Sequence, residues 1–368
     1  MITRDPGTSF RDAAQVRRLA AEIARRDPGR PVRVMHVCGT HEEAVCRFGL
    51  RELLPPWLRL VAGPGCPVCV CPAAEIDLAA RLALDRGAVV ASFGDVHRVP
   101  SRLSLAAARA RGADCRVVYA VEDALRIAEE EPSREVVFYA VGFETTACTT
   151  AAALRRGVPA NFSVLSSHRL VPPALEALLA PGAPAPDGFV LPGHVTTVAG
   201  LGDYEALSRR RPVPMAVAGF EPADVLLALL WIVERLLPGR GPAPGEVGNA
   251  YPRAVREEGN PEARRAIGEV FEPGDAAWRG LGTIPASGLR VRAEFAAQDA
   301  ALRFGEVPDP SVEDTVPGCR CGEVLLGAAE PEDCPHFGDG CTPESPRGAC
   351  MVAFEGTCHA RYRAGGGR

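Results

Sequence analysis

The feature that most constrains the fold is a repeated pattern of short apolar runs. Each run ends at a glycine, a proline or a polar residue, and a helical pattern follows it. Strands that alternate with helices form parallel sheets with helices on their faces. The sequence therefore predicts an α/β fold. The predicted strands are residues 32–37, 58–62, 88–93, 116–120, 136–141, 160–165, 188–191 and 213–218.

The same pattern divides the chain into predicted domains. Two similar parallel-sheet α/β domains are expected, over residues 1–130 and 131–240, facing a shared cleft. A stretch rich in Pro and Gly at 238–245 is typical of a linker. Residues 241–368 would then form the linker and a cysteine-rich domain with little regular structure. Because ligands bind at the carboxyl ends of parallel strands, the loops there are the places to look for a site.

Charge and hydropathy exclude several classes of protein. The formal net charge is −5 at pH 7, which disfavours a nucleic-acid-binding face. The uncharged apolar run at 225–233 is far shorter than the ~20 residues that cross a bilayer. The N-terminus lacks the apolar core of a signal peptide. We therefore expect a cytoplasmic protein that binds neither membrane nor nucleic acid.

Cysteine usage points to metal or redox chemistry. Of the 13 cysteines, five lie within 38–71 and six within 319–358. In a reducing compartment such clusters are more often metal ligands or redox thiols than disulfide staples. We assign no role to Cys115 and Cys148, which lie outside both groups, or to Cys46 and Cys71, which are expected to be packing thiols.

The first predicted site combines Cys38 with the C-x-x-C pair Cys66 and Cys69. All three follow predicted strands, and His41 and Glu42 come just after Cys38. Thiolates in such a pocket suit iron, so we predict an iron site. The alternative is a redox-active C-x-x-C, with Cys38 an unrelated buried thiol.

A further candidate for the first site is His194, which follows the predicted strand 188–191. It could line the cleft and transfer protons. Its alternative role is ordinary turn chemistry.

The second predicted site is the C-terminal group of cysteines. Their spacing is long and uneven and lacks the paired C-x-x-C knuckles of zinc ribbons. A cubane iron–sulfur cluster accepts thiolates from distant loops, which fits this spacing. Two thiols would remain beside four ligands and could form a redox-active disulfide. A structural zinc site is the alternative. The group comprises Cys319, Cys321, Cys334, Cys341, Cys350 and Cys358.

Several motifs, in one order along nearly the whole chain, resemble those of the HypD family of hydrogenase-maturation proteins. They are Cys-Gly-Thr-His-Glu at 38–42, Gly-Pro-Gly-Cys-Pro-Val-Cys at 63–69, Gly-Phe-Glu-Thr-Thr at 142–146, Pro-Gly-His-Val at 192–195, Gly-Phe-Glu-Pro at 219–222, Asn-x-Tyr-Pro-Arg-Ala-Val at 249–255 and Glu-Gly-x-Cys at 355–358.

The resemblance implies a role in building the Fe(CN)2CO part of nickel–iron hydrogenase. In that family the protein works with HypC, takes cyanide from HypE, and reaches the hydrogenase large subunit transiently through HypC. By resemblance, Cys38 binds the mononuclear iron that carries CN and CO, and Cys66 and Cys69 belong to the same thiol centre. The family's C-x12-C-x6-C-x16-C spacing assigns a 4Fe–4S cluster to Cys321, Cys334, Cys341 and Cys358, and leaves Cys319 and Cys350 as the redox pair.

Two rival functions stay open at the level of the sequence. A ferredoxin-linked thiol–disulfide reductase would explain both cysteine groups but not the loop at 38–42. A zinc-stapled interaction protein would need no redox chemistry. The sequence assigns no conventional turnover reaction to the chain. We interpret it as a scaffold for cofactor assembly with redox chemistry.

Overall fold

The structure is a computed structural model and describes residues 10–180 and 185–366. The chain forms two compact units, and each is built from two separate segments. The first unit comprises Met1–Gly65 and Leu175–Asn260. The second comprises Cys66–Ala174 and Pro261–Arg368.

The strands of the described residues are β1 (Val32–His36), β2 (Leu58–Ala62), β3 (Val89–Ser92), β4 (Cys115–Val117), β5 (Val136–Gly142), β6 (Phe162–His168), β7 (Gly188–Pro192), β8 (Met215–Ala218), β9 (Gly248–Asn249), β10 (Phe271–Trp278) and β11 (Gly282–Val291).

The α-helices are α1 (Ala13–Ala24), α2 (Gly39–Arg47), α3 (Pro67–Val70), α4 (Ala73–Arg86), α5 (Gly94–His97), α6 (Leu105–Ala110), α7 (Val121–Glu130), α8 (Glu144–Arg155), α9 (Val171–Leu178), α10 (Gly193–Ala199), α11 (Gly202–Arg210), α12 (Pro222–Leu236), α13 (Pro261–Val270), α14 (Ala300–Phe304), α15 (Cys321–Leu325) and α16 (Thr357–Arg361). Short 3-10 turns cover Arg51–Leu53, Ala293–Gln298, Pro331–Asp333 and Ala349–Met351, and a π turn covers Tyr362–Gly366.

The first unit contains a parallel sheet in the order β2-β1-β7-β8-β9. Its central strands β7 and β8 are buried along their whole length, as expected for a parallel sheet that helices cover. Helices α1 and α12 pack together, and α12 lies against β7 and β8. Helix α12 begins at Pro222, where the missing amide proton costs nothing.

The second unit contains a parallel sheet in the order β4-β3-β5-β6. Alternate residues of β5 pack into different apolar clusters: Val137 and Tyr139 into one, Phe138 and Ala140 into the other. The hairpin β10–β11 is antiparallel and carries a register shift between Gly274 and Ala276. Strand β11 contacts β6, and α13 packs against α8.

The predicted α/β architecture with parallel sheets is confirmed. Each of the eight predicted strands is present within a few residues of its expected bounds. The assignment of strands to sheets differs from the expectation, because β1 and β2 join β7–β9 while the four strands between them form the other sheet. The pattern of apolar runs locates strands but does not say which sheet a strand joins. The expected boundaries at residues 130 and 240 therefore do not coincide with the two units.

The expected linker and cysteine-rich domain also take a different place. Residues 238–245 lie within the first unit, and Pro261–Arg368 belong to the same compact unit as Cys66–Ala174. The cysteine-rich region exists and holds only short helices and turns. Its designation as an iron–sulfur domain stays a prediction. The cleft that the sequence analysis expects between two α/β domains also stays a prediction.

No helix in the described part of the chain has the length and apolar composition that a bilayer-spanning segment needs.

Candidate functional site

Cys38 lies in the first unit at the carboxyl end of β1, immediately before α2. Its backbone is extended, with φ −152° and ψ 127°, and the residue is almost fully buried. The next amide, that of Gly39, donates to the carbonyl of Gly65 at 2.9 Å. A Cβ at Gly65 would lie 2.0 Å from the amide nitrogen of Cys38. The loops after β1 and β2 therefore touch backbone to backbone, and only glycine fits at position 65.

Glu42 is a buried carboxylate held by three side chains. Its Oε2 lies 2.7 Å from Nε2 of His36 and accepts from Nη2 of Arg51 at 2.6 Å, and its Oε1 accepts from the thiol of Cys46 at 3.2 Å. Burial raises its pKa, but Arg51 and His36 outweigh burial and hold the pKa of Glu42 well below its usual range. The group is therefore an ionised, fixed anion at the first turn of α2, where the helix dipole also favours negative charge.

His41 is buried and joins the loop after β1 to the loop after β8. Its Nε2 donates to the carbonyl of Gly219 at 3.0 Å, which leaves Nδ1 as the unprotonated nitrogen. Among the described residues, Nδ1 has no hydrogen-bond partner. Burial, and then the charge of His36, lower the pKa of His41 to about 3. The ring is thus a neutral imidazole at physiological pH.

His194 is exposed at the start of α10 and stacks on Phe220, with ring centroids 3.9 Å apart. Phe220 also lies 5.2 Å from His41 and 5.9 Å from Tyr251. The loops after β1, β7 and β8 therefore converge on one aromatic ring. Parallel strands bring these loops to one edge of the sheet, as the sequence pattern implies.

In the second unit, the C-x-x-C pair sits at the start of α3. Cys66 caps this short helix, and its sulfur accepts from the amide of Cys69 at 3.4 Å. Pro67 occupies the first helical position, where its fixed φ suits the turn. Burial, followed by a hydrogen bond with Cys66 and the charges of Cys350 and Cys321, raises the pKa of Cys69 well above its ordinary value. Cys69 therefore lies next to the C-terminal cysteines.

The C-terminal cysteines themselves are gathered together. The sulfurs of Cys350 and Cys358 are 3.1 Å apart. A hydrogen bond with Cys350, together with burial, raises the pKa of Cys321 well above its ordinary value. Burial, and then the charges of Cys321, Cys334 and Cys341, raise the pKa of Cys319 to about 12.

Gly348 lies against three of these cysteines, namely Cys319, Cys321 and Cys350. A Cβ there would lie 2.9 Å from the sulfur of Cys319 and 3.7 Å from that of Cys350. The predicted redox pair thus flanks one glycine.

The C-terminal donors are thiols, which are the ligands that an iron–sulfur cluster takes. In the part of the chain that the structure describes, no group of three or more His, Cys, Asp or Glu side chains has the arrangement of a site for a metal ion. A cubane spreads its four irons and takes one thiolate at each corner, so its ligands need not converge on one point. The raised pKa values of Cys319, Cys321, Cys350 and Cys358 keep those four thiols neutral, and bound iron would supply the charge that stabilises thiolates.

Two arginines that organise these sites could not be identified from the sequence. Arg51 neutralises Glu42 from a 3-10 turn, and Arg279 donates to the carbonyl of Cys71 at 2.8 Å just beyond the C-x-x-C. Neither lies in a recognisable motif, because its partners are defined only by the fold.

The four cysteines outside the predicted sites have defined surroundings in the structure. Cys46 contacts Glu42, and Cys71 is fully buried with its sulfur 2.8 Å from the hydroxyl of Tyr139. Cys115 is buried in β4, and the thiol of Cys148 donates to the carbonyl of Thr145.

Two parallel sheets and a group of buried thiols around Cys69 and the C-terminal cysteines define a cysteine-rich α/β protein. Comparison with known sequences narrows this class. Residues 14–365 match the HypD family, described as "Hydrogenase formation hypA family". The chain therefore belongs to the HypD family of hydrogenase maturation factors.

Three relatives resemble the chain over almost its full length. The "Hydrogenase maturation factor HypD" of Cupriavidus necator is 45% identical over 373 residues, which cover 97% of this chain and 96% of the relative. The protein of the same name from Azotobacter vinelandii is 45% identical over 369 residues, with shares of 97% and 96%. That of Rhodobacter capsulatus is 42% identical over 374 residues, with shares of 98% and 98%.

Proposed function

We propose that the chain is the scaffold on which the Fe(CN)2CO unit of nickel–iron hydrogenase is assembled. Cys38 binds the iron cargo together with HypC, and Cys66 and Cys69 belong to the same thiol centre. HypE delivers the cyanide, and HypC carries the product to the hydrogenase large subunit. A resident 4Fe–4S cluster is held by four C-terminal cysteines. These ligands are Cys321, Cys334, Cys341 and Cys358.

The observation that best supports the proposal is the closeness of the dithiol to the C-terminal cysteines within the second unit. Cys69 lies next to Cys350 and Cys321, and its sulfur is 3.9 Å from the carbonyl of Ala349. The gathering of Cys38 with Cys66 and Cys69 on one iron stays a prediction. It is supported by the backbone contact between the Cys38 loop and Gly65, the residue before Cys66.

The chemistry requires a two-electron donor. A thiocyanate-like carrier releases cyanide when its sulfur–carbon bond takes up two electrons. The Cys66–Cys69 dithiol supplies these as it becomes a disulfide. One of its two protons goes to the carrier sulfur, the other is released, and cyanide passes to the ferrous cargo. A cluster held by the C-terminal cysteines would supply electrons one at a time, and the oxidised Cys66–Cys69 pair would take up two electrons and two protons to become a dithiol again.

The surrounding side chains prepare the cargo site. Glu42 is a fixed anion, and His41 presents an unprotonated Nδ1 in the loop that carries Cys38. Because the pKa of His41 is held near 3, this nitrogen stays unprotonated, accepts a hydrogen bond and adds no positive charge. His194, exposed and stacked on Phe220, is placed to contact an incoming group.

The replacement Cys38→Ala tests the cargo site. Protein purified anaerobically with HypC should lose the Fe–CN infrared bands and keep the brown absorbance of the cluster. Cys46→Ala is the matched control, because Cys46 lies near the far end of the helix that follows Cys38, and it should keep both signals. Persistence of the infrared bands in Cys38→Ala would show that the assignment of Cys38 is wrong.

Metal analysis separates the rival functions. About four irons per chain indicate a cluster alone, and about five indicate a cluster plus the cargo iron. A thiol–disulfide reductase would show about four irons per chain and no Fe–CN infrared bands. Zinc with little iron would support an interaction protein and refute the proposal. Cys334→Ala should lose the cluster iron, whereas Cys350→Ala should keep it and lose reduction of the dithiol.

A further inference from the structure

The second unit contains two buried arginines, of which one forms an ion pair with a carboxylate and the other donates to backbone carbonyls. Arg169 is 3% exposed and pairs with the carboxylate of Glu75 at 2.5 Å. Arg279 is 1% exposed, and its guanidinium donates only to backbone carbonyls, those of Cys71 at 2.8 Å, of Pro100 at 3.4 Å and of Asp314. Among the described residues, no carboxylate forms an ion pair with Arg279.

Arg279 lies between the two cysteine sets of its unit. Its amide donates to the carbonyl of Val70 at 2.8 Å, one residue beyond Cys69. The next residue, Gly280, packs so tightly on the α15 backbone that a Cβ there would lie 2.4 Å from the Cα of Gly322. Gly322 directly follows Cys321. The end of the β10 segment is thus wedged between α3 and α15.

This wedge brings Arg279 close to the predicted cluster. Gly322, which Gly280 contacts, directly follows Cys321, and the guanidinium of Arg279 is near enough to act electrostatically on that cysteine.

A buried cation without a counter-ion is costly, so a fold keeps one only where an anion compensates it. Carbonyl dipoles solvate the guanidinium in part but carry no net charge. Four thiolates around a 4Fe–4S cluster give the site a net negative charge, which increases by one when the cluster is reduced. This is the kind of anion that the buried charge of Arg279 fits.

We propose that Arg279 is the buried counter-charge of the iron–sulfur cluster and raises its reduction potential, which makes this arginine a positioning and tuning residue for electron delivery to the C-x-x-C. The proposal rests on the cluster assignment made above. Cluster potentials depend on net charge and burial, and a charge in a water-poor site acts far more strongly than an exposed one. The alternative is that Arg279 has only a structural role, in which its hydrogen bonds hold the surrounding backbone carbonyls in place.

Two variants separate the electrostatic role of Arg279 from its hydrogen-bonding role. Arg279→Gln removes the charge and keeps a side-chain donor for the carbonyls. Arg279→Lys keeps the charge and loses the planar fork. The matched control is Arg320→Gln, which removes a half-exposed arginine next to Cys321 that pairs with Glu323. Its charge is screened by water, so its effect should be small.

The experiment is an anaerobic redox titration of the full-length protein, followed by the cluster's optical and electron paramagnetic resonance signals. Iron content is measured first in every variant. In Arg279→Gln, the ratio of reduced to oxidised cluster at a fixed potential should fall at least tenfold, which is about 59 mV for a one-electron couple. Arg279→Lys should stay close to the unaltered protein.

An unchanged potential in Arg279→Gln with a full complement of iron would overturn the inference. An equal shift of the reduction potential in the Lys and Gln variants would overturn it as well, since that result assigns the effect to the hydrogen bonds with the carbonyls. If the Gln variant does not fold, the Lys variant decides alone, because an unchanged potential supports the counter-charge and a large shift contradicts it. Absence of cluster iron in the unaltered protein would instead refute the proposed function.

Discussion

The buried ion pair between Glu75 and Arg169 should be one of the main contributors to the stability of the second unit. Arg169 is enclosed, and its guanidinium also donates to the carbonyl of Ala277 at 2.9 Å. The other oxygen of Glu75 accepts from the hydroxyl of Ser167 at 2.5 Å. Replacement of Glu75 by Ala leaves the arginine charge buried and the hydroxyl without its acceptor.

The size of the effect follows from the burial of the pair. Removal of one partner of a buried ion pair costs about 3–5 kcal/mol, because the remaining charge is uncompensated. In a unit of this size, 1 kcal/mol corresponds to about 2–4 °C in the midpoint of thermal unfolding. Glu75→Ala should therefore lower the midpoint of the second unit by on the order of 10 °C. Arg169→Met with Glu75→Ala together should cost clearly less than the sum of the single changes.

Tryptophan fluorescence can report the second unit alone. Trp278 is buried there and donates to the hydroxyl of Ser287 at 2.8 Å. The two other tryptophans, Trp57 and Trp231, lie in the first unit. With those two changed to Phe, the fluorescence transition follows the unit that holds the ion pair.

The control for this prediction is Glu323→Gln, which breaks a surface pair with Arg320 in the same unit. It should leave the transition unchanged. The reasoning is refuted if Glu75→Ala costs less than about 1 kcal/mol, a value typical of exposed pairs. Strict additivity of the single changes at Glu75 and Arg169 would refute it as well.

Three further predictions concern the glycine contact, the pH dependence and the metal. Gly65→Ala should displace the Cys38 loop and speed alkylation of that thiol, whereas Gly202→Ala, which has open space around its Cβ, should not. Burial lowers the pKa of His168 to about 3, so only the unfolded chain takes up its proton between pH 6.5 and 3. Stability is unaffected above pH 6.5 and is lost as the pH falls, and denaturation at pH 7 and pH 5 should show His168→Gln losing about 2 kcal/mol less over this step than the unaltered protein. Removal of iron with a chelator should speed hydrogen exchange across residues 319–362, and an unchanged exchange rate would contradict a metal-dependent fold there.

The sequence indicated the parallel strands well, because each apolar run is short and ends in a turn residue. It did not indicate the hairpin β10–β11, in which Pro273, Gly274, Pro285 and Gly288 interrupt any alternation of apolar and polar residues. The pairing of this hairpin is defined by its packing on β6 and α13. Local pattern could not predict such long-range contacts.

For the candidate sites, the sequence supplied the chemical groups and the fold supplied their surroundings. The loop positions of Cys38, His41 and His194 follow from strand ends. The partners of Glu42 do not, because Arg51 reaches it from a turn outside any motif. Likewise, nothing near Arg279 in the sequence reveals that Cys71 and Asp314 place their carbonyls around it.

The interleaved chain path affects how this protein emerges from the ribosome. Strands β1 and β2 are synthesised early, but their sheet partners begin only at Gly188, after the segment Cys66–Ala174 has been made. The second unit must in turn wait for Pro261–Arg368. Neither unit can close while the nascent chain is short, so release of an incomplete chain would expose apolar strand faces to aggregation.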